Sequence, residues 1–143
     1  MSIFSERLNE LMFEHDDIKS EQLGKEIGIS GATIRRWLSG GQQIFLSNLI
    51  ILADYFECSI DFLVGKTENT LDFEPQKCPP FSKRLREVMK EKGVTTYKLR
   101  KNTRYGSKYF QQWDSGSDPL SYTLIELADI LNCSVDYLIG RER

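Results

Sequence analysis

Basic side chains are concentrated in two stretches of this 143-residue chain. Residues 18–43 are net positive, and residues 94–113 contain no Asp or Glu. The basic residues of the two stretches are Lys19, Lys25, Arg35, Arg36, Lys98, Arg100, Lys101, Arg104 and Lys108. Lysine offers a point charge and arginine a planar fork of donors, and both suit the oxygens of a phosphate. The chemistry that these stretches could perform is therefore the binding of an anionic partner.

The chain lacks the residue combinations that catalysis or metal binding requires. It has one histidine, His15, with no cysteine or serine partner at a recognisable spacing, and it has no glycine-rich phosphate loop. Its three cysteines are odd in number and have no metal-like spacing. We expect Cys58 and Cys133 to be small core residues and Cys78 to lie in a linker. We therefore expect a protein of the reducing cytoplasm that is not an enzyme and holds no metal and no cofactor.

The net charge of −2 conceals an asymmetry between the two halves of the chain. Residues 1–70 carry 6 basic and 11 acidic side chains, whereas residues 71–143 carry 13 basic and 10 acidic side chains. For a phosphate-bearing partner, the local field matters more than the total charge. No apolar run approaches the ~18 residues of a membrane span, and no signal-peptide pattern is present. We expect no membrane partner.

The basic stretches occupy equivalent places in an internal repeat. Residues 4–65 return as residues 81–140; for example, Cys58-Ser59-Ile60-Asp61 returns as Cys133-Ser134-Val135-Asp136. The copies agree least over residues 18–36, so one surface has diverged while the scaffold was kept. A repeat of this length sets the domain count. We predict domains at residues 1–65 and 81–143, joined by an extended, proline-containing linker at residues 66–80.

Apolar spacing and capping residues predict five helices in each copy. Phe4, Leu8, Leu11 and Met12 form the stripe of an amphipathic first helix. The second helix should run from Ser20 to Ile27 and from Thr96 to Thr103, the third from Gly31 to Leu38, and the fourth over residues 46–56 and 122–131. A short fifth helix should end at Gly65 and Gly140. The predicted helix caps and turn residues are Ser20, Thr96, Ser30, Gly28, Gly40, Ser59 and Ser134. Neither copy shows a strand pattern, so the predicted fold class is all-α.

These positions resemble those of a known family. A short helix, a turn centred on Gly28, a second short helix with a Ser30 cap, and then Trp37 followed by Ser39-Gly40 form the pattern of a helix-turn-helix. The later Cys-Ser-x-Asp-x-Leu-x-Gly motif completes a pattern similar to that of five-helix DNA-binding domains of the Cro and lambda-repressor type, the Xre group. The resemblance covers both copies. It implies two tandem domains whose third helix enters the major groove of double-stranded DNA.

The resemblance also implies which side chains meet the DNA. In the first copy the groove-facing residues would be Gly31, Ala32, Thr33, Arg35 and Arg36, with the arginines reading guanine. Ser20 would meet a phosphate, and the flanking backbone contacts would be Lys19, Ser39, Gln42 and Gln43. In the second copy the groove-facing residues would be Ser107, Lys108, Tyr109, Gln111 and Gln112, and the phosphate contacts Thr96, Lys98, Lys101 and Ser115. Ile34, Trp37, Leu38, Phe110 and Trp113 should face the core.

The second copy departs from the family pattern at its turn. The turn residue Gly28 is replaced by Arg104, and the small residue Gly24, which normally lets the two helices approach, is replaced by Arg100. A non-glycine residue in a left-handed conformation costs ~1 kcal/mol or more. We therefore expect a reshaped second turn, with a contribution to DNA affinity that comes mostly from backbone contacts.

The sequence leaves both function and assembly open. The first hypothesis is a sequence-specific transcriptional regulator, a repressor of phage, transposon or bacterial type. The second is a protein-interaction module, antitoxin- or antirepressor-like, that kept the helical scaffold. The 15-residue linker could extend to ~50 Å, which exceeds the ~34 Å between half-sites one turn apart. One chain could thus act as an intramolecular pseudo-dimer, and a homodimer is the alternative. No small-molecule effector is evident.

Overall fold

The computed structural model describes residues 2–40 and 43–143, and within these residues every regular element is a helix. The helices are α1 (Ile3–Glu14), α2 (Ser20–Ile27), α3 (Gly31–Ser39), α4 (Leu46–Tyr55), α5 (Ile60–Leu63), α6 (Phe81–Lys92), α7 (Thr96–Asn102), α8 (Ser107–Asp114), α9 (Ser121–Ile130) and α10 (Val135–Ile139). The predicted all-α class is confirmed for the described part of the chain. None of these helices is both long and apolar enough to cross a membrane.

The chain divides into two compact units, residues 1–72 and residues 73–143. The first unit holds α1 to α5, and the second unit holds α6 to α10. Residues 66–80, predicted as a linker, are shared between them. In the first unit the Ser59 amide donates to the Thr70 carbonyl at 2.6 Å, and in the second the Gln76 amide donates to the Arg141 carbonyl at 2.8 Å. Part of the predicted linker is therefore packed against helical structure.

The first unit is built around the apolar stripe of α1. Leu8, Leu11 and Met12 are buried there, and the ring of Phe4 meets the edge of Trp37 on α3 at 6.3 Å between centroids. Arg7, whose side chain is 11% exposed, links α1 to α5. Its guanidinium donates to the carbonyl of Phe62 at 3.0 Å and lies 4.0 Å above the Phe62 ring. Because burial of apolar area drives folding, these contacts fix α1 as the platform on which α3 rests.

The second unit repeats this arrangement with its own residues. Phe81 on α6 meets Trp113 on α8 at 5.3 Å, and Arg84 donates twice to the Tyr137 carbonyl, at 3.2 and 2.8 Å. A buried ion pair between Arg141 and Asp136, at 3.1 Å, is added close to the carboxyl end of the unit. In both units an arginine of the first helix thus donates to a carbonyl of the last helix and ties the two helices together.

Two of the predicted caps are wrong by one residue. Ser20 and Thr96 are the first helical residues of α2 and α7, whereas the cap positions are Lys19 and Thr95. Thr95 makes the capping bond, accepting from the Lys98 amide at 3.1 Å. Thr95 and Thr96 are the same residue type, so the sequence does not distinguish them as caps. Thr95 is the one whose hydroxyl reaches a free amide in the first turn of α7.

The other predicted caps and the buried residues agree with the structure, with two differences. Ser30, Ser59 and Ser134 each accept an amide hydrogen of the following helix, and Gly28 and Gly40 are left-handed, with φ 77° and φ 91°. The core positions Ile34, Trp37, Phe110, Trp113 and Cys58 are buried. Leu38 and Cys133, however, are only half-buried. Both lie near a helix end, where less of the unit covers the side chain.

Candidate nucleic-acid interface

The approach of α2 to α3 depends on two glycines. A side chain at Gly24 would collide with the carbonyl oxygen of Ile29, so only glycine permits the observed packing. Gly28 then turns the chain with a left-handed φ of 77°, and its amide donates to the Gly24 carbonyl at 2.8 Å. A residue with a Cβ pays a steric cost in that conformation. The two glycines therefore set the angle at which α3 leaves α2.

The outer face of α3 presents polar side chains that are held in place locally. The Ser30 hydroxyl accepts the Thr33 amide at 3.2 Å and lies 2.8 Å from the Thr33 hydroxyl. Arg36 donates to that same hydroxyl at 3.1 Å, and the Ser39 hydroxyl donates to the Arg36 carbonyl at 2.8 Å. Ala32 is exposed between them. This face can offer guanidinium donors and small apolar groups to a groove.

A carboxylate that sequence reasoning missed lies on this face. Glu21 accepts from Arg35 at 2.5 Å, although its side chain is 70% exposed. It also covers Gly31, because a Cβ added there would collide with the Glu21 carboxylate, and Gly31 is buried. Arg35 is thus oriented by an acid, and the prediction that Gly31 faces a DNA groove is wrong, because Glu21 covers it. The internal repeat aligns Glu21 with Tyr97, so the two copies differ at this position. That difference was the feature of the sequence that could have drawn attention to Glu21.

The remaining predicted residues of the first unit lie at the rim of α2 and α3. Lys19 is exposed and forms an ion pair with Asp17 at 2.8 Å. Ser20 is half-buried at the start of α2, and Gln43 is exposed after α3. Gln42, which was predicted to contact the DNA backbone, lies outside the described residues. Lys19 and Gln43 are therefore accessible to solvent at this rim, and Ser20 is partly accessible.

The turn between α7 and α8 is built differently from the first turn. Thr103 is extended, with φ −143°, and Arg104 is not left-handed. The Thr103 hydroxyl donates to the Leu99 carbonyl at 2.7 Å and accepts the Tyr105 amide at 3.0 Å. Tyr105 is fully buried. The second unit thus avoids the strain of a left-handed arginine, because a turn bridged by the Thr103 hydroxyl replaces the tight glycine turn. The prediction of a reshaped second turn is confirmed.

Burial of Tyr105 has consequences for its neighbours. Its hydroxyl donates to Glu126 at 2.9 Å, and desolvation raises the pKa of Tyr105. Arg104 donates to the same carboxylate at 2.6 Å and lies 4.8 Å above the ring of Tyr122. Arg104 is therefore engaged within the unit by an acid and two aromatic rings, and it contributes less to the basic face than the sequence alone suggests.

Most predicted contact residues of the second unit share one property, which is exposure to solvent. The exposed residues are Thr96, Lys98, Lys101, Ser107, Lys108, Gln111, Gln112 and Ser115. Tyr109 differs, because it is half-buried with its ring 5.0 Å from Tyr105 and 5.8 Å from Trp113. The outward face of α8 therefore consists of lysine, glutamine and serine, and the tyrosine mainly supports the helix.

One ion pair anchors the end of α8. Arg86 on α6 donates to both carboxylate oxygens of Asp114, at 2.5 and 3.1 Å, and lies 5.3 Å above the Phe110 ring. These hydrogen bonds lower the pKa of Asp114. Because Arg86 and Asp114 make two hydrogen bonds, the pair restrains the orientation of α8 relative to α6 as well as the distance between them.

A comparison with protein families identifies the first unit. Residues 14–63, which include α2, α3, α4 and α5, match the helix-turn-helix family. Comparisons of the chain with curated proteins and with solved structures find no match. No group of three or more His, Cys, Asp or Glu side chains that could hold a metal ion occurs in residues 2–40 and 43–143. The first unit therefore contains a helix-turn-helix domain, the type of domain that DNA-binding regulators carry.

Proposed function

We propose that this protein is a sequence-specific, double-stranded DNA-binding transcriptional regulator, and that it represses its targets. The observation that carries the proposal is the exposed face of α3, where Arg36 is held by Thr33 in a unit that matches the helix-turn-helix family. The glycine-dependent packing of α2 on α3 supports insertion of that face into a major groove. Neither an enzymatic activity nor a cofactor is part of this proposal.

We further propose that the second unit is a second helix-turn-helix domain of the Xre type. The internal sequence repeat, the five helices α6 to α10 and the exposed amides of Gln111 and Gln112 support it. Glutamine can pair with adenine through two hydrogen bonds, whereas arginine prefers guanine. Two units with different third helices would read an asymmetric operator as one intramolecular pseudo-dimer. A homodimer on a palindrome is the alternative assembly.

Substitution of Arg36 tests the proposal. Arg36→Ala should cost ~1–3 kcal/mol of specific binding and relax selection at one base pair, because a guanine-reading fork is lost. Lys66→Ala, which removes a charge from the segment after α5, is the matched control and should have a smaller and sequence-independent effect. Fluorescence anisotropy with a selected duplex and with base-substituted duplexes measures both. Equal affinity of Arg36→Ala and the parent protein for all duplexes would contradict groove reading by α3.

A second candidate function is supported by the acidic surface of the first unit. Phe13 on α1 is 68% exposed, and the acidic residues Glu10 and Asp17 line the same shallow pocket. An apolar ring with an acidic rim suits a basic protein partner, and the Glu21–Arg35 pair neutralises part of the α3 face. Salt discriminates the two functions, because binding through several phosphates weakens steeply as salt rises. A partner protein held at Phe13 would show a shallower dependence.

A further inference from the structure

Two aromatic side chains are the most exposed of the large apolar residues in the described part of the chain. Phe13 on α1 is 68% exposed, and Tyr97 on α7 is 64% exposed. The internal repeat aligns Phe13 with Lys90, which is exposed, and it aligns Tyr97 with Glu21, which is exposed as well. Because the other unit folds with a charged residue at each position, the helical scaffold requires neither ring. A single exposed apolar residue is ordinary, so the surroundings of these two decide their meaning.

Phe13 borders a shallow pocket of about 300 Å³ in the first unit. Its other borders include apolar and acidic side chains, which are Met12, Ile18, Leu38, Glu10 and Asp17. Asp17 is paired with Lys19, whereas no ion pair of Glu10 occurs within residues 2–40 and 43–143. Glu14, next to Phe13, is exposed too. We call this surface the acidic pocket, since it combines an apolar lining with an excess of negative charge.

Tyr97 lies in a surface of the opposite sign. Lys98 follows it directly, and Lys101 comes four residues later, which is a neighbouring position on a helix. Both lysines are exposed, and in the part of the chain that the structure describes neither forms an ion pair. Residues 94–113 contain no Asp or Glu that could neutralise them. We call this group, Tyr97 with Lys98 and Lys101, the basic surface.

The acidic pocket and the basic surface complement each other. A tyrosine ring gains from burial against apolar side chains while its hydroxyl stays close to water. Charges of opposite sign around such a ring steer the encounter and suppress other orientations. One pairing of this size is small, because a stable interface buries about 1,000 Å² or more. One chain can make the pairing only once, whereas two chains that exchange these surfaces make it twice.

We propose that two copies of this chain associate, with Tyr97 of each copy entering the acidic pocket of the other copy. Such an exchange is closed by a two-fold axis, so it stops at the dimer. Once one pairing has formed, the second forms within the same assembly at a raised effective concentration. The association itself goes beyond the proposed function and does not depend on it.

The dimer contact overlaps the proposed DNA-binding surface in both units. Lys19 and Ser20, which are proposed backbone contacts of the first unit, also border the acidic pocket. Lys98 and Lys101, which have the same proposed role in the second unit, belong to the basic surface. A duplex and a second copy of the chain should therefore compete. This consequence, unlike the association, rests on the proposed DNA-binding function.

Sedimentation velocity of the full-length chain over a concentration series tests the association. The parent protein should form a dimer whose dissociation constant rises with salt, because the rims are charged. Phe13→Gln and Tyr97→Gln should each raise that constant about tenfold or more, since each removes an aromatic ring from both pairings. Ile130→Gln is the matched control, because it removes an apolar side chain that is 42% exposed on α9, outside both surfaces. Circular dichroism verifies the folding of each variant.

A mixture of the Phe13→Gln and Tyr97→Gln proteins shows whether the two surfaces meet each other. In a dimer of either variant with itself, both pairings lack one ring. In a mixed dimer one pairing keeps both rings, and the other has lost both. Because side chains in contact contribute non-additively, the mixture should associate more tightly than either variant alone. A mixture that associates no more tightly than its components would overturn the exchange.

Two further results would also overturn the proposal. One is a parent protein that stays monomeric at every concentration at low salt, whether its surfaces pair within one chain or not at all. The other is a dimer that Phe13→Gln and Tyr97→Gln weaken no more than Ile130→Gln does. A duplex selected from a random pool should convert dimers into separate DNA-bound chains, and a dimer that binds this duplex intact would contradict the proposed contact. If no duplex is selected, the proposed function fails, while sedimentation still decides the association.

Discussion

At the scale of single residues, the most informative contact is the ion pair between Glu21 and Arg35. Both side chains are more than half exposed, so the pair adds little stability and can exchange for other partners. It nevertheless places a negative charge on the face that would approach DNA. The internal repeat shows that the two copies differ at the position of Glu21. The ion pair itself could not be predicted, because it depends on how closely α2 approaches α3, and neither composition nor helix periodicity specifies that distance.

Removal of the Glu21 charge should strengthen DNA binding. Glu21→Gln leaves the side-chain volume nearly unchanged, frees Arg35 and removes repulsion of phosphates, so we expect affinity to rise several-fold at low salt. Glu14→Gln, an exposed substitution on α1, serves as the matched control. Anisotropy titrations at two salt concentrations measure the effect. A loss of affinity in Glu21→Gln would show that the carboxylate positions Arg35 for base reading.

A second residue-scale prediction concerns the Arg86–Asp114 pair. Because its folded-state pKa is lowered, Asp114 contributes stability that is present above its ordinary pKa and is lost as pH falls through the folded value. Asp114→Asn should therefore be less stable than the parent protein at neutral pH, with a difference that shrinks in acid. Urea unfolding at neutral pH and near pH 3 tests this. A difference that is constant or grows towards low pH would contradict the assignment.

At the scale of elements, the sequence predicted the helices better than the turn of the second unit. Helix positions follow from apolar spacing, and Ser30, Gly28 and Gly40 act locally, so their roles could be read from the chain. The predicted capping by Thr96 was wrong because the adjacent Thr95 caps α7, and the predicted capping by Ser20 was wrong because Lys19 holds the cap position of α2 without a side-chain bond. The hydroxyl-bridged turn at Thr103 was not specified in advance, because burial of Tyr105 helps to fix it.

The bridging hydroxyl of Thr103 should stabilise the second unit. Thr103→Val keeps the shape but removes both hydrogen bonds, which should cost about 1–3 kcal/mol because the Tyr105 amide and the Leu99 carbonyl lose a partner. Thr103→Ser keeps the hydroxyl and should stay closer to the parent protein. Denaturant unfolding, with hydrogen exchange at Tyr105 as the local readout, compares them. Equal stability of Thr103→Val and the parent protein would mean that the turn is held by packing alone.

At the scale of the whole molecule, the two units differ in charge and in the design of their turns. In the first unit Gly24 and Gly28 let α2 approach α3, and the Glu21 carboxylate lies over α3. The second unit has Arg100 in place of Gly24 and a cleft bordered by α6, α7 and α8. We propose that the third helices of both units read bases and that the second unit adds more backbone affinity than the first. The comparison of the two copies in the sequence predicted the differences in charge and in turn residues. The cleft could not be predicted in this way, because it depends on how α6, α7 and α8 pack together.

A truncated chain separates the contributions of the two units. Residues 1–72 form a compact unit with their own apolar core, so the piece should remain helical. It should lose most of the specific affinity, because the second unit no longer raises the effective concentration of contacts. Circular dichroism checks folding, and anisotropy on the full operator checks affinity. Affinity equal to that of the full chain would show that the second unit does not act on the operator.

The most direct test of DNA reading by both units is selection of bound duplexes from a random pool, followed by a salt titration on the selected duplex. We expect an asymmetric site about two half-sites long, with affinity that falls steeply as salt rises. A palindromic site would contradict the pseudo-dimer, because identical chains would then be reading identical halves. No enriched sequence at any salt concentration would contradict sequence-specific DNA binding itself and would favour a protein partner.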